Sequence, residues 1–232
     1  MRNSDITEIK QLPLFDRMSD TYFDRLTRGA YVQTFPPQIE LIQEGDPSDF
    51  LHILSEGSVE LFALWNGRES TMGILRPVST FILAATVCDA PYLMSARTLK
   101  KTRIVLLPSS DVRAIFDEDQ AFARSIVTEL AQCYRSVVKS SKDLRLRSSI
   151  ERLANYLLRQ RQRADDAEKF TLAMEKRRLA SYLGMSAENL SRAFKTLLPY
   201  GVAVDGATVT ISDPADLITL AKPSPLIDDR DQ

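Results

Sequence analysis

Four polar side chains, Glu188, Ser191, Arg192 and Lys195, recur at i, i+3, i+4 and i+7 within KRRLASYLGMSAENLSRAFKTL, Lys176 to Leu197. On a helix that spacing puts them on one face. Their chemistry suits base edges and phosphates in a major groove rather than catalysis. A guanidinium can donate two bonds to guanine O6 and N7, a carboxylate can accept from a cytosine amine, and a hydroxyl can meet thymine. Glu188, Ser191 and Arg192 are therefore candidate base readers. Lys176, Arg177, Ser186 and Lys195 are candidates for phosphate contacts, which fix register without specifying sequence. A solvated helix face uses the same residue types, so the elements around this one must decide between the two.

Those elements are a helix, a turn and a hairpin. Arg177 to Leu183 carries Leu179, Ala180 and Leu183 at packing spacing, Gly184 supplies the turn, and Ser186 is a good N-cap. Leu190, Phe194 and Leu197 form the buried stripe of the second helix. Apolar alternation around Asp205-Gly206, within Gly201 to Ile211, is a hairpin signal. Helix, turn, helix and hairpin make a winged helix, which favours the DNA reading.

Upstream, residues 5 to 29 read as helical, with Ser19 as a cap and Phe23 and Leu26 on one face. From Tyr31 to about Leu107, Pro36-Pro37, Gly45-Asp46-Pro47, Glu56-Gly57 and Asn66-Gly67 punctuate short apolar stretches. That predicts an all-β roll or barrel of roughly eight strands. Ser109 to Phe116 returns to helical spacing, and Asp119 to Ser148 reads as one long helix. Along it Ile126, Leu130, Cys133, Val137, Ser140 and Leu144 step by four and three, a heptad seam suited to a second copy of the chain. The expected class is α+β, with an N-terminal β-roll (1–118), a long dimerisation helix (119–148), a winged-helix domain (149–222) and a flexible tail (223–232). Arg159 to Lys169 reads as a charged connector.

The net charge is −1, but its distribution is uneven. Residues 1 to 60 hold five Arg or Lys against eleven Asp or Glu, and residues 135 to 198 hold fifteen against seven. The basic excess accompanies the helix-turn-helix, as a polyanion partner requires. Only Cys88 and Cys133 occur, too few for a disulfide framework or a metal quartet. No apolar run is long enough for a membrane span, and no secretory leader pattern appears, so a cytoplasmic protein is expected. One histidine, no Gly-rich phosphate loop and no G-x-S-x-G motif leave nothing to support an enzyme.

A β-roll, a long helix and a winged helix in this order resemble the Crp/Fnr family of bacterial transcription regulators. The resemblance covers residues 9 to 213. It is carried by LIQEGDPSDFLHILSEGSVELF (Leu41 to Phe62), with glycines at Gly45 and Gly57, and by GMSAENLSRAFKTL. It implies a cyclic-nucleotide-binding-type β-roll with an effector site, a homodimer, double-stranded DNA and RNA polymerase as partners, and no enzymatic activity. The family's Glu-x-x-Ser-Arg pattern, here Glu188, Ser191 and Arg192 after Ala187, implies TTGAT half-sites.

Cyclic-AMP-binding members carry Gly-Glu for the ribose and an Arg-Ser for the phosphate. The corresponding stretch here is FILAATVCDAPYLMSA, with Leu83-Ala84 in place of Gly-Glu and Met94 before Ser95. The expected effector pocket of Phe81, Leu83, Ala84, Tyr92, Met94 and Ser95 lacks a cation for a cyclic phosphate, so cyclic AMP is not the expected effector. No cysteine precedes Cys88, which closes the iron–sulfur route. CDAPYLMSARTL is most similar to the dissimilative nitrate respiration regulators, a branch associated with nitric oxide sensing through haem. Haem is thus a candidate cofactor, with His52 as a candidate axial ligand and Cys88, Tyr92, Met94 and the N-terminus as others. The alternative reading is a cyclic-nucleotide-binding regulatory module of the kind found in kinases and channels.

Overall fold

The computed structural model describes residues 3–229. In chain order the elements are α1 (Asn3–Lys10), α2 (Asp20–Arg28), β1 (Tyr31–Phe35), β2 (Glu40–Ile42), β3 (Phe50–Glu56), β4 (Val59–Trp65), β5 (Arg68–Leu75), β6 (Ser79–Phe81), α3 (Leu83–Cys88), β7 (Ser95–Thr98), β8 (Thr102–Pro108), α4 (Ser109–Glu118) and α5 (Gln120–Leu146). There follow α6 (Ser149–Arg163), β9 (Lys169–Thr171), α7 (Lys176–Tyr182), α8 (Ala187–Leu197), a 3-10 turn (Leu198–Tyr200), β10 (Val202–Asp205), β11 (Thr208–Ile211), α9 (Pro214–Ala221) and α10 (Pro225–Asp228). The chain divides into two compact units, residues 1–132 and 133–232, and the division falls within α5 rather than at its ends.

The first unit is the β-roll. One sheet has the order β1-β8-β3-β6 and the other β2-β7-β4-β5. Alternation along β3 sorts its side chains into two cores. Leu51 and Ile53 join Val105 and Leu107 in packing against Phe15, Phe23, Leu26, Val112, Ile115 and Phe122 of the helices. Leu54 faces Val59, Phe81, Tyr92, Ala96 and Ile104 of the second core. The β4–β5 hairpin turns at Asn66 and Gly67, both with positive φ (49° and 72°), and Trp65 pairs with Arg68. That is the geometry a two-residue type I′ turn requires.

The N-terminal helical stretch is two helices. Residues 11–18 form turns around Pro13, and Ser19 caps α2 by accepting from the Tyr22 N–H at 3.4 Å. The long helix begins where Asp119 Oδ1 accepts from the Ala121 and Phe122 N–H groups. It ends where Ser148 starts α6 with a capping box, its side chain bonded to the Glu151 N–H and the Glu151 carboxylate to the Ser148 N–H.

In the second unit the core gathers Leu153, Tyr156 and Leu157 of α6 with Leu179, Leu183, Leu190, Phe194, Leu197, Val209, Ile211 and Leu217. The wing is a three-stranded sheet, β10-β11-β9, with Asp205 paired to Thr208 and Gly206 at φ 56° in the turn. Two expectations are corrected. The charged connector is shorter than expected, since α6 runs to Arg163 and Lys169 begins β9, whose Phe170 pairs with Val209. The segment 223–229, expected to be loose, is docked: Ile227 is buried and Asp228 accepts from Arg147 and Arg159. Residues 230–232 lie outside the described residues.

Candidate nucleic-acid interface and effector compartment

The helix-turn-helix is built as its spacing requires. Leu179, Ala180 and Leu183 of the first helix and Leu190, Ala193, Phe194 and Leu197 of the second are buried. Gly184 sits between them at φ 64°, a left-handed backbone that favours glycine. With the apolar stripe of α8 inward, Glu188, Ser191, Arg192 and Lys195 all project into solvent.

Ser186 caps α8 by accepting from the Asn189 N–H at 3.2 Å. The backbone N–H of Glu188 at the helix start, then the Ser186 hydroxyl, then Arg192 hold the Glu188 carboxyl below its ordinary range. Glu188 is thus an ionised acceptor, and Ser186 positions it besides being a candidate phosphate contact. Lys176 and Arg177 are exposed at the start of α7 and, with Ser191 and Lys195, rim a groove of about 360 Å³ floored by Leu190, Phe194, Leu198 and Val204. The Lys176 ammonium lies 5.9 Å from the Phe194 ring centroid. A row of acceptor, hydroxyl and guanidinium flanked by cations can lie along a duplex groove with its ends on phosphates.

Sequence reasoning missed Arg152. Its guanidinium is buried and donates from Nε to the Leu183 carbonyl at 2.8 Å and from Nη1 to the Arg147 carbonyl at 2.7 Å, tying the turn before α8 to the end of α5. An arginine inside the apolar stripe of α6 was the signal available.

The six residues expected to form one effector pocket are dispersed. Phe81 and Tyr92 belong to the core between the sheets, whereas Leu83 belongs to the core beneath the helices. Ala84 is exposed, Met94 is half-buried, and Ser95 is buried with its hydroxyl accepting from the Glu44 N–H at 2.9 Å. Ile82, just before α3, has a left-handed backbone at φ 62°, a strained position for a β-branched residue. The nearest cation along the strand, Arg97, is already held by Glu60 and Glu69 and lies over the Phe62 ring.

His52 is buried beside Phe81 and Tyr92, with ring centroids 5.1 and 6.4 Å away. Burial pushes its pKa down to about 4, and its Nδ1 has no hydrogen-bond partner among the described residues. A neutral, unpartnered ring nitrogen is what a metal ligand requires. The two aromatic rings, however, fill the space beside it, so a haem macrocycle does not fit this packing. Cys88 and Cys133 are exposed and in no disulfide.

The expected dimer seam also divides. Ile126 is fully buried in its own unit's core with Leu130 packed against it, so Ile126 is not available to a second copy. Cys133, Val137 and Leu144 are exposed. The exposed apolar residues of α5 include Val127, Tyr134, Val137 and Val138. With Leu130, Ser141 and Leu144 the first three describe a heptad stripe through 127, 130, 134, 137, 141 and 144, which keeps 130, 137 and 144 of the expected seam and replaces 126, 133 and 140 by the residue that follows each.

Comparison with known proteins assigns both units. Residues 32–119 match the cyclic nucleotide-binding domain and residues 151–220 the Crp-like helix-turn-helix domain. The chain is 25% identical over 187 residues to the transcriptional activator protein anr of Pseudomonas aeruginosa, covering 78% of this chain and 76% of that one. It is 24% identical over 215 residues to the CRP-like cAMP-activated global transcriptional regulator of Mycobacterium tuberculosis, covering 90% and 96%. A transcriptional regulator of the crp/fnr family from Eubacterium rectale shares the fold with a TM-score of 0.75 at 17% identity, covering 91% of this chain and 99% of that one. Among the described residues no helix is long and apolar enough to cross a membrane.

Proposed function

The chain belongs to the Crp/Fnr family of DNA-binding transcription regulators, and from that premise we propose that it acts as a homodimer reading an inverted repeat close to TTGATnnnnATCAA. The observation that carries this reading is the outward row of Glu188, Ser191 and Arg192 on α8, backed by a fully apolar inner face. Arg192 takes the guanine, Glu188 the cytosine opposite it and Ser191 a thymine, while Lys176, Arg177 and Lys195 hold phosphates. Two recognition helices of a twofold dimer lie roughly 34 Å apart on the duplex, one helical turn. The exposed stripe of α5 supplies the dimer contact, and RNA polymerase is the downstream partner.

The effector in this reading is not cyclic AMP. Leu83, Ala84 and Met94 offer neither a ribose acceptor nor a phosphate cation, and Arg97 is committed to Glu60 and Glu69. The likeness of CDAPYLMSARTL to the nitrate respiration regulators supports a response to nitrogen oxides or low oxygen. A haem-bound form would require Phe81 and Tyr92 to yield their places beside His52.

The test is selection of duplexes from a random pool by the purified dimer. Enrichment of a TTGAT inverted repeat is expected. A TGTGA-type consensus, or no consensus, would sink the reading. In sedimentation the Tyr134→Glu, Val137→Glu double variant should run as a monomer, because it puts like charges into a desolvated contact. A persistent dimer would place the interface elsewhere.

A further inference from the structure

We propose that the segment Pro223–Asp229 is a strap across the joint between α5 and α6 that positions the recognition helix, with Asp228 as its lock. This rests on the DNA-binding reading for its function but not for its geometry. The Asp228 carboxylate reaches both sides of the joint. It accepts from Arg147 through both oxygens, Nη1 to Oδ1 at 2.8 Å and Nη2 to Oδ2 at 2.7 Å, and from Arg159 of α6 at 2.6 Å. Arg147 also donates to Asp143 of α5 at 3.0 Å. All four side chains are nearly closed to solvent, at 7 to 12% exposure. A bidentate pair in that setting is directional as well as strong.

The strap is preformed around its lock. The Ser224 N–H donates to Asp228 Oδ2 at 2.7 Å, and the Ile227 and Asp228 N–H groups donate to the Ser224 carbonyl. Further attachments run along one side of α5, where Lys139 donates to the Asp229 carbonyl and Lys142 to the Leu226 carbonyl. On α6, Asn155 donates to the Ala221 carbonyl at 2.6 Å, holding the root of the segment.

What the strap fixes is transmitted onward by Arg152. The same guanidinium takes the Arg147 carbonyl at the joint and the Leu183 carbonyl in the turn that starts α8. The angle set at Arg147 is therefore passed to the recognition helix through one rigid planar group. A network that served stability alone would need no member on each side of the joint. Buried ion pairs add little net stability over apolar packing, and a role in fixing one geometry accounts for keeping this one.

Spin labels at S136C on α5 and T196C on α8, both exposed positions away from the proposed contacts, read that geometry directly. Cys88 and Cys133 are replaced by Ser, and labelled subunits are diluted with unlabelled ones. Pulsed dipolar measurement should give one narrow distance distribution for the wild-type chain. Asp228→Asn and a chain truncated after Lys222 should broaden it and move its maximum, with the circular-dichroism spectrum unchanged, and Asp228→Glu should restore a narrow distribution. An unchanged distribution in both disruptive variants would overturn the strap. Loss of the folded domain in both would overturn it too, making the segment part of the core, and a Glu variant as broad as the Asn variant would remove the lock from the carboxylate. The distances need no DNA, so failure here leaves the DNA reading standing, and a failed duplex selection leaves the strap standing.

Discussion

On α8 the polar side chains Glu188, Ser191, Arg192 and Lys195 stand in solvent, while Leu190, Phe194 and Leu197 are buried behind them. In the β-roll the nearby polar groups are already engaged. Arg97 is held by two carboxylates, Ser95 takes a backbone N–H, and the Tyr92 hydroxyl leans on the Phe50 carbonyl at 3.4 Å. DNA is a large polyanion whose groove imposes its own geometry, so its reader needs only a rigid row of donors and acceptors. A small effector must be enclosed, and here the interior is occupied by Phe81, Tyr92 and His52. In the proposed reading one region would meet its partner as it stands, whereas the other would have to give way to admit an effector.

The sharpest break of this contrast comes from the inner face of α8. Leu190→Ala should destabilise the second unit by about 2–5 kcal/mol, because a fully packed side chain leaves a cavity. Thermal unfolding measures it. A change well below that range would mean that the stripe is not what holds the outer face rigid.

The next effect tests the β-roll. His52 is depressed from 6.5 to about 4 by burial, which outweighs a raising contribution from the Phe50 carbonyl. The folded state therefore resists protonation where the unfolded chain accepts it. Stability from this group is full above about pH 6.5 and is lost as pH falls toward 4, by on the order of 3 kcal/mol. Carboxylates titrate in the same window, so the quantity to compare is the urea midpoint at pH 7 and at pH 4.5 in wild type and in His52→Phe. The variant should lose less on acidification. Equal losses would mean that the imidazole is reached by water and the interior is less closed than its packing indicates.

The same contrast explains what could be read from the sequence. The helix-turn-helix was legible because one period orders its whole length, from Leu179 to Leu197, and Gly184 marks the turn. The Asn66-Gly67 hairpin was legible because its turn demands those residue types. The effector compartment was not, since Phe81 and Leu83 lie two residues apart in a segment that passes from β6 into α3 and enter different cores. Nor was Ile126, because a heptad drifts around a helix and cannot say which edge its own domain covers. The strap was invisible because Asp228 acts through Arg147 and Arg159, far away in sequence, and PSPLIDD shows no period.

On the outer face of α8 the expected effects are smaller and concern binding alone. Arg192→Ala should cost about 1–3 kcal/mol at the guanine and flatten discrimination among the four bases there, with no change in unfolding temperature, since the side chain is exposed. Titration of the dimer against all substitutions at that position measures it. Retained discrimination would remove Arg192 from the base readers and leave Glu188 and Ser191 to account for the preference.

The smallest effect separates holding from reading. Lys176 stands at the first residue of α7, exposed, on the rim of the groove shared with Arg177, Ser191 and Lys195. If its ammonium neutralises one phosphate, Lys176→Ala releases one fewer condensed counterion, and the slope of log affinity against log salt should fall by about one. All sequences, specific and scrambled, should weaken alike. The side chain also lies over Phe194, a contact worth about 0.5–1 kcal/mol at an exposed site, so a slight drop in stability is expected as well. Lys176→Arg keeps both the charge and the ring contact and should restore slope and stability together. Were Lys176→Ala instead to alter the ranking of bases with the salt slope unchanged, Lys176 would belong with the readers, and the division of this face into phosphate holders and base readers would fail at its first member.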